Sequence, residues 1–210
     1  MQRHKSTVPM MAVAVNRLAV GCKEGTKEIQ YILDRLYTNR ISIHVLISHY
    51  LALLGLTHAM EGMVGTIEPK CELVDVVEDA FSSAAMLCEA QFHDSPTLEV
   101  TAEDISDQKD ETKNIVTASV VPDHLQHILF EVFKNSMRAT CESAERKKLQ
   151  QLPSIVCKIY KTQKDVTIKI SDLGGGIEVE ILPVFCVDIF SVAVCQSEGL
   201  QLHVLNSGKG

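Results

Sequence analysis

Apolar residues recur at intervals of three and four along the first 92 residues, which is the period of helices that bury one face. This spacing predicts three helices, over residues 9–23, 27–54 and 73–92, with a glycine-containing connection over residues 55–70. No run between residues 10 and 90 alternates apolar and polar positions as a half-buried strand does. The first part of the chain is therefore predicted to be a bundle of helices without strands.

The pattern changes in the second half of the chain. Residues 155–160 and 166–170 alternate apolar and polar positions, and a polar turn of hairpin length separates them. Residues 127–140, just before them, have helical spacing, so this half is predicted to be α/β, with a helix packed on an antiparallel sheet. The acidic, polar residues in 95–119 predict a solvated linker, with a short strand at 98–100.

The helix predicted over residues 127–140 is apolar on most sides and polar on one narrow stripe. At about 100° per residue, the polar side chains fall within an arc of about 100°; they are His127, Glu131, Lys134, Asn135 and Arg138. Taken alone, this stripe is typical of a solvent-exposed face, on which Glu131 can pair with Lys134 three residues later. A functional interpretation needs a second motif.

That second motif directly follows the last predicted strand and reads Ser-Asp-Leu-Gly-Gly-Gly over residues 171–176. Consecutive glycines let backbone N–H groups approach a ligand closely and adopt positive φ, as phosphate and nucleotide sites require. Asp172, placed just before them, can accept a hydrogen bond from the exocyclic amine of a base. A flexible turn is the simpler interpretation of such a run, and neither the P-loop pattern nor the Rossmann pattern is present.

Composition narrows the class of protein. A hydrophobic fraction of 46% and a charged fraction of 22% are ordinary for a soluble globular protein. The net charge of -7 argues against a nucleic-acid partner, which would need a basic face, but it allows a local nucleotide site.

Seven cysteines without a C-x-x-C pair predict buried free thiols in a reducing compartment. No apolar run is long enough to predict a membrane span, and the N-terminal stretch is interpreted as a helix entry rather than a transit peptide.

A helix with Glu-x-x-x-Asn on its polar stripe and a later Asp-x-Gly-Gly-Gly resemble the Bergerat ATP-binding fold. Further stretches resemble the pyruvate dehydrogenase kinase family, namely residues 2–12, 32–43, 121–125, 130–140 and 166–177. The resemblance implies an α plus α/β fold, with an N-terminal helical bundle followed by an incomplete Bergerat-type domain of helix on antiparallel sheet. The implied limits are a helical domain at 1–94, an acidic linker at 95–119, a partial ATP-binding domain at 120–181 and a divergent tail at 182–210.

The resemblance also implies an activity. It implies a mitochondrial matrix protein-serine kinase that phosphorylates the pyruvate dehydrogenase component and is recruited through a lipoyl domain of the acetyltransferase core. ATP and magnesium would be its cofactors. Glu131 would act as the general base beside the substrate hydroxyl, with His127 one turn earlier tuning it, and Lys134 would neutralise phosphate charge.

The remaining roles implied by the resemblance concern the nucleotide. Asn135 would hold the magnesium ion that bridges the phosphates, and Arg138 would add positive charge beside them. Asp172 would recognise the adenine, while Gly174 and Gly176 would shape the pocket around it.

Residues after Ile181 depart from the family pattern, which continues into an ATP lid and a second glycine-rich box. The expectation is a truncated or aberrant member that binds ATP weakly, lacks measurable activity and leaves an open sheet edge. This keeps open a non-catalytic binding protein of the same complex, and it leaves the family homodimer in doubt. A histidine kinase is the other alternative, because His4 precedes Pro9 by five residues, where that family often places its phosphoacceptor.

Overall fold

A computed structural model describes most of the chain. It covers residues 10–14 except Ala12, then 26–56, 62–105 and 115–176, and the backbone of 200–206. The chain divides into two compact units, Met1–Val45 and Leu46–Gly210. The described members of the helix predicted over residues 9–23 are helical, and its other residues lie outside the described part.

Three long helices agree with the apolar spacing: α1 (Thr26–Leu53), α2 (Leu73–Phe92) and α3 (Pro122–Lys147). The helix α3 is longer than predicted. Pro122 starts it at a position where proline is favourable, and Lys148 ends it in the left-handed conformation, with a φ of 52°. No helix among the described residues is long and apolar enough to cross a membrane.

The described strands form two sheets. The strands are β1 (Glu68–Glu72), β2 (Leu98–Asp104), β3 (Thr117–Val120), β4 (Ile155–Lys161), β5 (Val166–Asp172) and β6 (Leu200–Asn206). The strands β1 and β3 pair by themselves, and the larger sheet has the order β2-β4-β5-β6. The predicted antiparallel hairpin of β4 and β5 is confirmed, but β2 pairs parallel with β4 and β6 pairs parallel with β5. The fold class of helices with a helix-on-sheet part is confirmed, and the sheet is mixed.

Two predictions about strands are wrong. The strand β1 lies within the stretch predicted to be free of strands, and it is short, with Cys71 as its only fully buried residue. The stretch predicted as a linker contains β2 and β3. Only residues 98–100 of β2 are predicted as a strand. The side chains of β2 alternate between exposed and partly buried, and the exposed Glu103 hid the rest of the strand in an acidic sequence. The predicted domain limits themselves stay predictions.

The open sheet edge that the sequence predicts does not lie at β5. The strand β6 pairs with β5 from Val166 opposite Leu200 to Asp172 opposite Asn206. The sheet therefore continues beyond β5, with a strand drawn from the stretch predicted as a divergent tail. The rest of that stretch lies outside the described residues.

The hydrophobic core of the second unit lies between α2, α3 and the larger sheet. Phe133 of α3 is fully buried and meets Phe81 of α2 edge to face, with ring centroids 5.3 Å apart. Other fully buried side chains come from both helices and from the hairpin: Leu73, Val77, Leu125, Leu129, Met137, Ile155, Ile159, Ile168 and Ile170. This core fixes α3 against the sheet and so fixes the position of its polar stripe.

Candidate functional site

The five predicted polar residues of α3 lie where the helix passes from the core to solvent. Glu131 and Asn135 are half-buried, as is Lys134, whereas His127 and Arg138 are exposed. Glu131, Asn135 and Ala139 follow one another at four-residue intervals, and such residues form one ridge along a helix. We call these three residues the α3 ridge.

Two cations of the stripe are paired with carboxylates of the same helix. Lys134 Nζ lies 2.5 Å from Glu131 Oε2, and it also lies 5.5 Å from the centroid of the Phe130 ring. Arg138 Nε lies 2.7 Å from Glu142 Oε1, and the hydrogen bond from Arg138 to this carboxylate raises the pKa of Arg138. Ion pairs that solvent can reach add little to stability, so either cation can leave its partner for an anionic ligand.

The glycine turn at the end of β5 lies directly against α3. A Cβ atom added to Gly174 would lie 2.5 Å from the Cβ of Ala139 and 2.9 Å from the carbonyl carbon of Ala139. Only a residue without a side chain allows this approach. Gly175 and Gly176 have φ values of 100° and 102°, a conformation that strains residues with a Cβ.

Asp172 closes β5 and is buried, with 6% of its surface exposed. Its Oδ1 atom accepts a hydrogen bond from the N–H of Gly174 at 2.9 Å, which fixes the start of the glycine turn. The other carboxylate oxygen, Oδ2, has no hydrogen-bond partner among the described residues. A buried carboxylate with one unsatisfied oxygen is costly unless a ligand or water donates to it.

The structure brings the two sequence motifs together along the α3 ridge. Gly174 contacts Ala139, which lies one turn, or about 6 Å, beyond Asn135. Glu131 follows after a further turn and His127 after one more. Three kinds of group thus follow one another along one line. Asp172 and the glycine turn suit a nucleobase, Asn135 suits a metal cation or phosphate, and Glu131 suits proton transfer.

The described residues hold no cluster of three His, Cys, Asp or Glu side chains that could bind a metal ion by themselves. The Asn135 amide makes no hydrogen bond with another described residue and is half-buried. Magnesium usually keeps several waters and takes one or two protein oxygens together with substrate phosphates. Asn135 therefore fits a magnesium ion that is held mainly by the phosphates of a ligand.

Two residues of the site were missed by sequence reasoning. Ala139 is the surface on which the glycine turn rests, and the buried Ser143 places its Oγ atom 3.8 Å from where a Cβ of Gly175 would lie. Ala139 could have been found, because it continues the four-residue spacing of Glu131 and Asn135. Its contact with Gly174 carries no signal in the sequence.

Replacing Gly174 with alanine is expected to lower the free energy of unfolding by about 1–3 kcal/mol, because the new methyl group would overlap Ala139. Urea titration of both proteins measures the change. Gly176→Ala is the matched control, since nothing lies within 4 Å of its added Cβ and only backbone strain acts there. If Ala139→Gly fails to reduce the cost of Gly174→Ala, the proposed close contact is not its cause.

Comparison with known proteins supports the family that the motifs resemble. The family model of mitochondrial branched-chain alpha-ketoacid dehydrogenase kinase matches residues 1–68. The chain is 42% identical over 184 residues to mouse mitochondrial pyruvate dehydrogenase (acetyl-transferring) kinase isozyme 3, a match covering 83% of this chain and 42% of the mouse protein.

Two further relatives agree. The chain is 37% identical to human mitochondrial isozyme 4 over 184 residues, which cover 86% of this chain and 43% of that protein. It is 41% identical to the mitochondrial kinase of Drosophila melanogaster, over 83% of this chain and 43% of the fly protein. The chain thus spans less than half the length of the curated relatives it matches. Both motifs of the candidate site and these identities place the chain in the family of mitochondrial pyruvate dehydrogenase kinases.

Proposed function

We propose that this protein is an ATP-dependent kinase that phosphorylates serine on the pyruvate dehydrogenase component, with the α3 ridge forming one wall of its ATP site. The observation that carries this proposal is the buried carboxylate of Asp172, which has one oxygen without a partner among the described residues. The exocyclic amine of adenine donates a hydrogen bond of the kind this oxygen lacks. With adenine bound at Asp172, the ribose and the phosphates would extend along the α3 ridge.

Along the ridge, Asn135 would be a ligand of a magnesium ion that neutralises the charge of the phosphates. Lys134 and Arg138 lie on the same side of α3, and each pairs with a carboxylate that it can leave. A phosphate nearby attracts both cations, since phosphate carries more negative charge than a carboxylate. The negative charge of the phosphates would thus be neutralised by side chains that already lie beside the ridge.

The Glu131–Lys134 pair links nucleotide binding to proton transfer. While Lys134 Nζ lies 2.5 Å from Glu131 Oε2, it donates a hydrogen bond to the carboxylate oxygen that a substrate hydroxyl would need. When Lys134 moves to the phosphates, Glu131 is free to accept the proton of the substrate hydroxyl. His127, one turn away, would act as a positioning residue for that carboxylate.

The partners and the location proposed for this chain rest on its relatives. Their names describe mitochondrial kinases of pyruvate dehydrogenase, so we place this protein in the mitochondrial matrix with that enzyme as its substrate. The proposal also includes docking of the first part of the chain, which the family model matches over residues 1–68, to a lipoyl domain of the complex. Calorimetric titration with an isolated lipoyl domain tests that partner.

Replacing Asp172 with asparagine is expected to weaken ATP binding about tenfold or more and to shift the preference toward inosine triphosphate. The asparagine amide keeps the shape of the carboxylate but presents a donor where adenine also has a donor. Inosine triphosphate has an oxygen at that position and can accept this hydrogen bond. Isothermal titration with each nucleotide, at protein concentrations that allow millimolar dissociation constants to be measured, gives the ratio of affinities.

The matched control is Asp165→Asn, which makes the same change at the opposite end of β5, in the hairpin turn. It should leave both affinities unchanged. If Asp172→Asn weakens both nucleotides equally, Asp172 supports the turn and does not recognise the base.

A further inference from the structure

Two buried thiols meet in the core, away from the candidate site. Cys88 of α2 and Cys141 of α3 place their Sγ atoms 3.5 Å apart, although the residues are separated by 53 positions in the sequence. Both are free cysteines with 5% and 2% of their surfaces exposed. The other described thiols, Cys71 and Cys157, contact no thiol among the described residues. The two Sγ atoms must approach each other by about 1.5 Å to reach the bond length of a disulfide.

We propose that Cys88 and Cys141 are a modification site, at which a hydroperoxide converts the two thiols into a reversible disulfide that ties α2 to α3. In the first step, one sulfur attacks the peroxide, the O–O bond breaks, and a sulfenic acid and one water form. The second sulfur then attacks the sulfenic sulfur, and the S–O bond breaks with loss of a second water. Two thiols are oxidised and one hydrogen peroxide is reduced to two waters.

The positions of the two thiols determine their order of reaction. Cys88 lies one turn before the end of α2, where the helix stops at His93 in the left-handed conformation, and its thiol donates a hydrogen bond to the carbonyl oxygen of Asp94 at 3.4 Å. Helix ends open more readily than helix centres. Cys141 lies within α3. Cys88 is therefore the thiol that the oxidant reaches first, and Cys141 is the one that resolves the sulfenic acid.

Burial explains why the pair stays reduced under mild conditions. It raises the pKa of both thiols, and that of Cys141 to about 12, so few thiolates form at neutral pH. Oxidation then depends on transient opening of the end of α2. The reaction should be slow at low peroxide concentration and complete at high concentration.

The disulfide would act on the helix pair and not on the nucleotide. Cys141 follows Ala139 by two residues, which is about 200° around the helix, so it faces away from the residue on which the glycine turn rests. A bond between residues 53 positions apart restricts the unfolded chain considerably. We expect the oxidised protein to melt about 5–10 °C higher than the reduced protein.

The test uses the 210-residue chain treated with hydrogen peroxide, blocked with N-ethylmaleimide and digested without reductant. Mass spectrometry should find the peptides of Cys88 and Cys141 joined, at two hydrogens below their summed mass. The melting temperature should rise and return after dithiothreitol. Cys88→Ala and Cys141→Ala should lose the rise, whereas the matched control Cys157→Ala, which removes a buried thiol of β4, should keep it.

Two results would overturn the proposal. One is that Cys88 and Cys141 are recovered as free thiols or as separate sulfinic acids while other cysteines form the disulfides. The other is that the joined peptide forms but the melting temperature does not rise, which would show that the bond does not tie the helices. Peptide mapping of the unmutated chain decides the first question even if an alanine variant does not fold.

Discussion

In a form of the protein that transfers phosphate, such as a version with an ATP lid, replacing Glu131 with glutamine is expected to lower the rate of transfer to the pyruvate dehydrogenase component by about 10²–10⁴, because a general base contributes about that factor. Affinity for ATP should change by less than about threefold, since the role proposed for Glu131 is to accept a proton from the substrate hydroxyl and not to hold the nucleotide. Asn135→Ala should give the opposite result, with magnesium-dependent ATP binding nearly abolished. Transfer of labelled phosphate and calorimetry with ATP and magnesium measure the two effects separately.

Glu145→Gln is the matched control for Glu131→Gln. It removes the same charge from an exposed position of α3 near its end, beyond the candidate site. Its transfer rate and ATP affinity should equal those of the unmutated chain. Equal losses of ATP binding in Glu131→Gln and Asn135→Ala would contradict the division of roles, because both residues would then serve only to bind the nucleotide.

Replacing Phe133 with alanine is expected to lower the free energy of unfolding by about 3–5 kcal/mol, a large part of the stability of a typical domain. The ring is fully buried where α2 and α3 meet, and its loss leaves a cavity that the fixed helices cannot close. Its edge-to-face contact with Phe81 adds about 0.5–1.5 kcal/mol beyond the burial. Urea unfolding followed by circular dichroism measures the loss.

Two further variants separate burial from the ring contact. Phe133→Leu keeps most of the apolar volume and should recover more than half of the loss. A double-mutant cycle with Phe81→Ala should give a coupling energy near that of an aromatic pair. A loss below about 1 kcal/mol for Phe133→Ala would mean that the second unit has no rigid core at this position.

The sequence allowed α3 and its stripe to be predicted because helical periodicity is a local property. The positions of His127, Glu131, Lys134, Asn135 and Arg138 on one side of the helix follow from spacing alone, and the pairing of Glu131 with Lys134 was foreseen as a surface interaction. The roles of these residues stay predictions until they are measured.

Features that depend on distant parts of the chain were not predictable in this way. The strand β1 is recognisable only through its partner β3, with Cys71 opposite Ala118. Only the first three residues of β2 are predictable, because its acidic side chains hide the rest, and its partner β4 begins at Ile155. The contact of Gly174 with Ala139, which joins the two halves of the candidate site, likewise links residues of a strand end and a helix.

The strand order β2-β4-β5-β6 also has a consequence for the synthesis of the protein. Only β4 and β5 can pair as soon as both have left the ribosome, because they form a hairpin. The strand β2 must wait for β4, and β5 keeps a free edge until Leu200–Asn206 emerges and pairs with it. At about 5–20 residues per second this wait lasts some seconds, during which the apolar hairpin is open to aggregation and to chaperones. We therefore expect the yield of folded protein in a bacterial expression host to depend on the rate of translation beyond residue 172.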